Sequence, residues 1–180
     1  MRYFIALVLE GENERRFTVL RQIVADIADS YKALLLPPHI TLRVPFETDQ
    51  DIEPLCQSLE SYASEASSYS IKSTDIGYFE HRVCYLDVEQ TDTMNTMTHD
   101  LYRITSEHLQ QMLSESTRWR PPHFHLTLAY SDLTEEGYER IRQAGSKLVI
   151  PELVIPVNSI SLLRRDPDRW VIERRFALEK

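Results

Sequence analysis

The spacing of apolar residues predicts a chain in which strands alternate with helices. Residues 2–9 are nearly all apolar and rich in strand-forming types, which is typical of a strand buried on both faces. Over residues 14–31 apolar side chains recur at helical spacing, with charge on the other side, so a helix is expected. The proline pair at 37–38 then forces an extended chain, and a second strand is predicted over 39–45.

The rest of the chain continues this alternation. Further helices are predicted where apolar residues recur every three or four positions: 52–62, 92–112 and 134–145. Further strands are predicted where short apolar runs lie between turn residues: 69–79, 82–88, 149–155, 159–165 and 170–178. With one more strand predicted near residue 125, the order of elements is β-α-β-α-β-β and then α-β-α-β-β-β. This order favours a duplicated α+β unit that packs two sheets side by side.

A short pattern of histidine and threonine occurs once in each half of the chain. The first copy reads PPHITL and the second lies within RPPHFHLTLAY. Because alternate residues of a strand face the same side, His39 shares a face with Thr41, and His125 shares a face with Thr127. The apolar partners then point into a core. Each half therefore offers one imidazole and one hydroxyl side by side.

Two such pairs facing each other across a groove suit in-line attack at a phosphodiester without a metal or other cofactor. Hydrolysis of a cyclic phosphate needs a base that deprotonates water and an acid that protonates the leaving oxygen. An imidazole, with a pKa near ~6.5, serves in either role at neutral pH. The sequence alone does not assign the two roles to particular histidines.

Composition and charge narrow the possible functions. The chain has 180 residues, of which 42% are hydrophobic and 27% charged, so one packed domain over residues 1–180 is expected, made of two pseudo-symmetric lobes. The net charge of −8 argues against binding to long duplex nucleic acid, because that affinity depends on neutralising many phosphates. Binding of a single phosphate group by a few cationic side chains is still compatible with this net charge.

The cysteines and the N-terminus predict an ordinary intracellular protein. Cys56 and Cys84 fit neither a disulfide framework nor a zinc spacing, so buried reduced thiols are expected. The N-terminal apolar run of about eight residues is too short to span a membrane and lacks a cleavage site. We therefore expect a soluble, cytoplasmic, monomeric protein that does not bind membranes.

The two motifs resemble those of the two-histidine (2H) phosphoesterase superfamily, and the element order agrees over nearly the whole chain. Bacterial and archaeal members include the 2′-5′ RNA ligase-like proteins, which act as RNA 2′,3′-cyclic phosphodiesterases. The resemblance implies a bilobal α+β fold, with two antiparallel sheets around a central cleft and helices outside. It implies that His39 and His125 are catalytic, that Thr41 and Thr127 hold phosphate oxygens, and that the product is a 2′-phosphate.

Three further residues near the motifs are candidates for substrate binding. The RNA ligase-like branch tends to have a basic residue after the second motif, where this chain has Ala129 and Tyr130, so Arg43 after the first motif is the candidate cation. His123 shares a face with His125 and is a candidate substrate contact or orienting group. Tyr130 is a candidate for stacking a base.

Other groups are weaker candidates. Phe79 and Tyr78 are aromatic residues that could stack a base but by default pack in the core. Trp119 is a candidate for the rim of the cleft. The C-terminal hairpin is basic, and most of its charge is expected to be a solvated face. Its arginines are Arg164, Arg165, Arg169, Arg174 and Arg175.

Two functions from different classes fit these observations. The first is a metal-independent phosphodiesterase that hydrolyses 2′,3′-cyclic phosphates of RNA ends or small nucleotides, with 2′-5′ ligation as the reverse reaction. The second is a non-catalytic module of the same fold that binds nucleotides or RNA ends. A metal site at His123 and His125 is less favoured, because the sequence places no carboxylate beside them.

Overall fold

The computed structural model describes residues 1–80, 82–109, 122–167 and 169–179, and its α+β architecture confirms the predicted class. Within these residues the strands are β1 (Arg2–Val8), β2 (His39–Glu47), β3 (Tyr69–Phe79), β4 (Val83–Val88), β5 (His125–Tyr130), β6 (Val154–Val157), β7 (Ser159–Asp166) and β8 (Arg169–Ala177). The helices are α1 (Gly11–Ala28), α2 (Glu53–Glu65), α3 (Asp92–His108) and α4 (Glu135–Ala144). The 3₁₀ segments are Lys32–Leu35 and Gly145–Lys147.

The strands pair in one continuous antiparallel order, β6-β3-β4-β5-β2-β1-β7-β8. The prediction of two separate sheets is therefore not confirmed. The two motif strands, β5 and β2, lie at the centre, and the register that joins them runs through a single pair, Ile40 with Leu126. Each motif strand thus heads a group of four strands, and the narrow junction between the groups is where the motifs meet.

The two groups of strands are not the two halves of the sequence. The group around β2 combines the first strand, β1, with the last two, β7 and β8. The helices are exchanged between the halves in the same way. Helix α1, from the first half of the chain, packs on β5 and α4, whereas α3, from the second half, packs on β2 and α2. On each side of the β2–β5 junction the structure therefore combines elements from both halves of the sequence.

Local chemistry explains the ends of α1, which differ from the predicted bounds, and the start of α3, which agrees with them. Helix α1 begins at Gly11 rather than at residue 14, and Glu12 and Glu14 in its first turn favour this start because of the helix dipole. It ends at Ala28, where Asp29 adopts a left-handed cap with φ of 55°. Helix α3 is capped by Thr91, whose hydroxyl accepts a hydrogen bond from the Met94 backbone N–H.

A main core fills the space between the helices and one face of the sheet. Its buried side chains come from helices and motif strands alike: Phe17, Leu20, Val24, Ile40, Met94, Leu101 and Leu126. A smaller cluster of Phe4, Ala6 and Leu163 covers part of the opposite face. Strand β1 contributes to both clusters, which confirms that it is buried on both faces.

Several other expectations concern single residues. Cys56 and Cys84 are free and buried, as predicted. Among the described residues, no helix is both long enough and apolar enough to cross a membrane. The rim candidate Trp119 lies outside the described residues.

Candidate active site

The two motifs lie next to each other on one face of the sheet. Because Ile40 pairs with Leu126 in antiparallel strands, His39 faces Thr127 and Thr41 faces His125. Ile40 and Leu126 are fully buried in the main core, so these four side chains, here called the motif quartet, project from the opposite face. Directly opposed Cβ atoms in such a pair lie about 4.5–5.5 Å apart and diagonal ones about 7–8 Å apart. The histidines therefore occupy diagonal corners of the quartet, on adjacent strands rather than on two sheets.

Both histidines of the quartet are held in the same way. The Nδ1 atom of His39 lies 2.8 Å from the Pro37 carbonyl oxygen, and that of His125 lies 2.7 Å from the His123 carbonyl oxygen. A carbonyl oxygen only accepts hydrogen bonds, so Nδ1 carries a proton in each ring. This tautomer leaves Nε2 as the atom that can take up or release a proton. The sequence therefore provides two imidazoles of matched orientation, each fixed by the residue two positions earlier.

His39 is held in its neutral form. Burial lowers its pKa to about 4, and the nearby charges of Arg21 and His125 act in the same direction, against the Pro37 hydrogen bond. The ring of Phe4 lies 5.1 Å from the His39 ring and covers one side of it. At neutral pH this imidazole is therefore unprotonated at Nε2 and available as a base.

His125 has a different electrostatic environment. Burial lowers its pKa, His123 acts in the same direction, and the Asp87 carboxylate raises it. The rings of Phe79 and Tyr85 each lie 5.0 Å from the His125 ring. Because a carboxylate lies beside His125 and an arginine lies beside His39, their charges favour the protonated form of His125 over that of His39.

His123 contacts residues that surround His125. Its Nε2 lies 2.9 Å from Asp87 Oδ1, and its backbone carbonyl accepts the His125 Nδ1–H. This geometry fits the predicted orienting role of His123 better than a substrate contact. Among the described residues, no three His, Cys, Asp or Glu side chains converge in a way that would hold a metal ion.

A pocket with a volume of about 160 Å³ opens on the His39 side of the quartet. It is lined by four residues that the sequence singled out, His39, Thr41, Thr127 and Tyr130. His125 lies outside this lining, next to Thr41. The pocket is large enough for a phosphate group and part of the attached sugar, and both threonines border it.

Arg43, the predicted substrate-binding cation, is not among the residues that line this pocket. Its guanidinium packs 4.2 Å from the Tyr102 ring, and its Nε donates to Thr105 Oγ1 at 3.0 Å. The pairing of β1 with β2 shifts register next to Arg43, so the residues at 42 and 43 are both buried. This bulge turns the arginine away from the quartet and towards α3.

Arg21 provides the cation that sequence analysis missed. It lines the pocket, and its Nη1 donates to the carbonyl oxygens of Ala33 at 3.1 Å and Leu36 at 2.9 Å. The sequence contains one signal for it, because residue 21 falls four positions after Phe17 and three before Val24, on the buried stripe of α1. A charged residue on an apolar stripe is costly unless it has partners or a function.

Comparison with known proteins gives one family and several relatives. Residues 11–169 match the family model described as the 2′-5′ RNA ligase superfamily. A Geobacillus kaustophilus protein named "Putative phosphoesterase GK0864" is 33% identical over an alignment of 88 residues. The alignment covers 44% of this chain and 51% of that protein. A Bacillus pumilus "Putative phosphoesterase" is 34% identical over 86 residues, 43% of this chain and 50% of that one. The chain thus spans about half the length of the curated relatives it matches.

Solved structures share the fold over the full chain. Escherichia coli LigT in its apo form superposes with a TM-score of 0.63 at 17% identity, covering 99% of this chain and 98% of LigT. LigT complexed with 3′-AMP gives a TM-score of 0.62 at 16% identity with the same coverage. At these identities the likeness establishes the arrangement of strands and helices and nothing finer.

Proposed function

Because the chain belongs to the 2′-5′ RNA ligase superfamily of two-histidine phosphoesterases, we propose that it hydrolyses 2′,3′-cyclic phosphates of RNA ends or small nucleotides. The observation that carries this proposal is the motif quartet. Two imidazoles with the same Nδ1–H tautomer and two hydroxyls share one face of the sheet, at adjacent positions of two paired strands. General acid–base chemistry at phosphorus needs this set of groups and no metal ion.

The two histidines take different roles in this proposal. His39 is the base, because burial and the Arg21 charge keep it neutral, and it removes a proton from the attacking water. His125 is the acid. Burial lowers its pKa as well, but the Asp87 carboxylate beside it opposes this effect, whereas the Arg21 charge beside His39 adds to it, so His125 is the better of the two to carry the proton that the leaving 3′ oxygen takes up. The water oxygen forms the new bond to phosphorus as the bond to the 3′ oxygen breaks. The product is a 2′-phosphate.

The threonines and Arg21 support the charge on phosphate during this reaction. Thr41 and Thr127 border the pocket, and their hydroxyl groups donate hydrogen bonds to the two non-bridging oxygens. Arg21 is fixed by two carbonyl groups and contributes a positive charge without moving. Nucleotide substrates also agree with the LigT structures, which are complexed with 3′-AMP, NADP⁺ and ATP.

The first test is turnover of cytidine 2′,3′-cyclic phosphate in the presence of excess EDTA. We expect hydrolysis to continue in the chelator and to release the 2′-monophosphate, identified against 2′ and 3′ standards by chromatography. Release of the 3′ isomer would contradict the assignment of the leaving oxygen. Binding of the nucleotide without any turnover would favour the non-catalytic module instead.

The second test concerns the acid–base assignment. In Asp87→Asn the carboxylate that raises the pKa of His125 is lost, so the alkaline limb of the kcat/KM profile should move to lower pH. The acidic limb, which reports the base His39, should stay in place. Asp100→Asn, on the far side of the sheet in α3, is the matched control. A shift of the acidic limb alone would reverse the two roles.

A further inference from the structure

A second cavity, of about 260 Å³, adjoins the first pocket and is here called the basic pocket. It is lined by Lys32, Leu35, Leu36, Tyr130, Arg165 and Arg169. Leu36 and Tyr130 also line the first pocket, so the two cavities share a wall. The basic pocket therefore brings three cationic side chains beside the candidate active site.

We propose that the basic pocket binds a second phosphate of the same substrate, the phosphodiester on the 5′ side of the terminal nucleoside. The chain would then prefer an oligoribonucleotide with a 2′,3′-cyclic end over a cyclic mononucleotide. This inference rests on the proposed function and specifies its substrate class. It follows from the positive charge of the basic pocket, the rigidity of its wall and its position beside the first pocket.

The charges of the basic pocket differ from the other positive charges of the C-terminal hairpin. Three arginines there are neutralised by ion pairs: Arg164 with Glu173, Arg174 with Glu53 and Arg175 with Glu10. By contrast, within the described part of the chain, Lys32, Arg165 and Arg169 have no ion pair with an acidic side chain. In a chain of net charge −8, three uncompensated cations around one cavity favour an anionic ligand.

The wall that carries Lys32 is held in place from both sides. Asp132 accepts hydrogen bonds from the backbone N–H groups of Tyr31 and Lys32 at 2.9 and 3.0 Å and from Ser30 Oγ at 2.7 Å. These bonds engage both carboxylate oxygens of Asp132 with the start of the 3₁₀ segment. Arg21 binds the carbonyl groups at its other end. A preformed wall lowers the entropic cost of binding an anion there.

The adjacent position of the two pockets suits consecutive phosphates. Leu36 and Tyr130 line both pockets, so a single shared wall separates them. Consecutive phosphates flank one nucleoside, so a substrate with its cyclic phosphate in the first pocket brings the phosphate on its 5′ side to the region of the second. Arginine and lysine contacts to a backbone phosphate position a nucleic acid without reading its sequence. The inferred preference is therefore for chain length rather than for a particular base.

The experiment compares kcat/KM for three substrates: cytidine 2′,3′-cyclic phosphate, its 5′-phosphorylated form, and the dinucleotide CpC with a 2′,3′-cyclic end. We expect the two substrates with a second phosphate to exceed the first by about tenfold, the gain from one charge-assisted contact. Raising the salt from roughly 50 to 200 mM should reduce this ratio, because the contact is ionic and exposed. A gain confined to the dinucleotide would point to its second nucleoside and overturn the inference.

Charge variants identify the residues responsible. In Lys32→Gln/Arg169→Gln the ratio should fall close to one. The matched control is Arg15→Gln/Arg103→Gln, which removes the same charge from exposed helix ion pairs with Glu12 and Glu107. A ratio of one in the wild type, or equal ratios in both double variants, would overturn the second subsite while mononucleotide turnover upholds the proposed function. Absence of turnover on all three substrates would overturn both.

Discussion

His39→Ala is expected to lower kcat/KM for a 2′,3′-cyclic nucleotide by about 10²- to 10⁴-fold, the usual contribution of a positioned acid or base. The substitution removes the only side chain of the quartet that is kept neutral by burial beside a fixed arginine. His125→Ala should cause a loss of similar size, because it removes the acid. Initial rates at pH 7 in excess EDTA, with purified variants, measure both losses.

The controls for this prediction separate chemistry from folding. His99→Ala removes an exposed histidine on α3, away from the quartet, and should retain wild-type turnover. The double variant His39→Ala/His125→Ala should lose less than the product of the two single losses, since acid and base act together in one step. Turnover that survives in either single variant at the level of the control would refute paired-histidine catalysis.

The immediate geometry of the quartet could be predicted from sequence because it depends on a single strong rule. Alternation along a strand places His39 with Thr41 and His125 with Thr127, and it needs no knowledge of distant parts of the chain. The burial of Ile40 and Leu126 follows from the same rule. The strand and helix types also followed from local periodicity, although several ends moved by a few residues.

The sheet arrangement and the cations around the pocket depend on contacts that local patterns do not contain. The join between β2 and β5 runs through one residue pair, 86 positions apart in the chain, so no local signal distinguishes one sheet from two. Arg43 lies away from the pocket because a register shift in the pairing of β1 with β2 turns it to the other face. Arg21 was missed because its role depends on the 3₁₀ segment that folds back on it.

Acid should destabilise the protein through His39, by about 3 kcal/mol between pH 6.5 and 4 at 1.36 kcal/mol per pKa unit. The pKa of His39 is about 4 in the folded chain and near 6.5 in the unfolded chain, so the unfolded state takes up this proton first as the pH falls. The free energy of unfolding is therefore highest above pH 6.5, decreases between 6.5 and 4, and loses no more from this group below 4. Urea denaturation at pH 7, 5.5 and 4 measures the effect.

His39→Asn is the variant that tests the origin of this slope. It cannot bind the proton, so its free energy of unfolding should fall less than that of the wild type between pH 6.5 and 4, by about the same 3 kcal/mol. At pH 7, where His39 is neutral in the folded chain and mostly neutral in the unfolded chain, the difference between the two proteins reports packing almost alone and serves as the internal reference. A constant difference at every pH would show that His39 titrates alike in the folded and unfolded chains. In that case the burial that we hold responsible for the neutral base would not act on this imidazole.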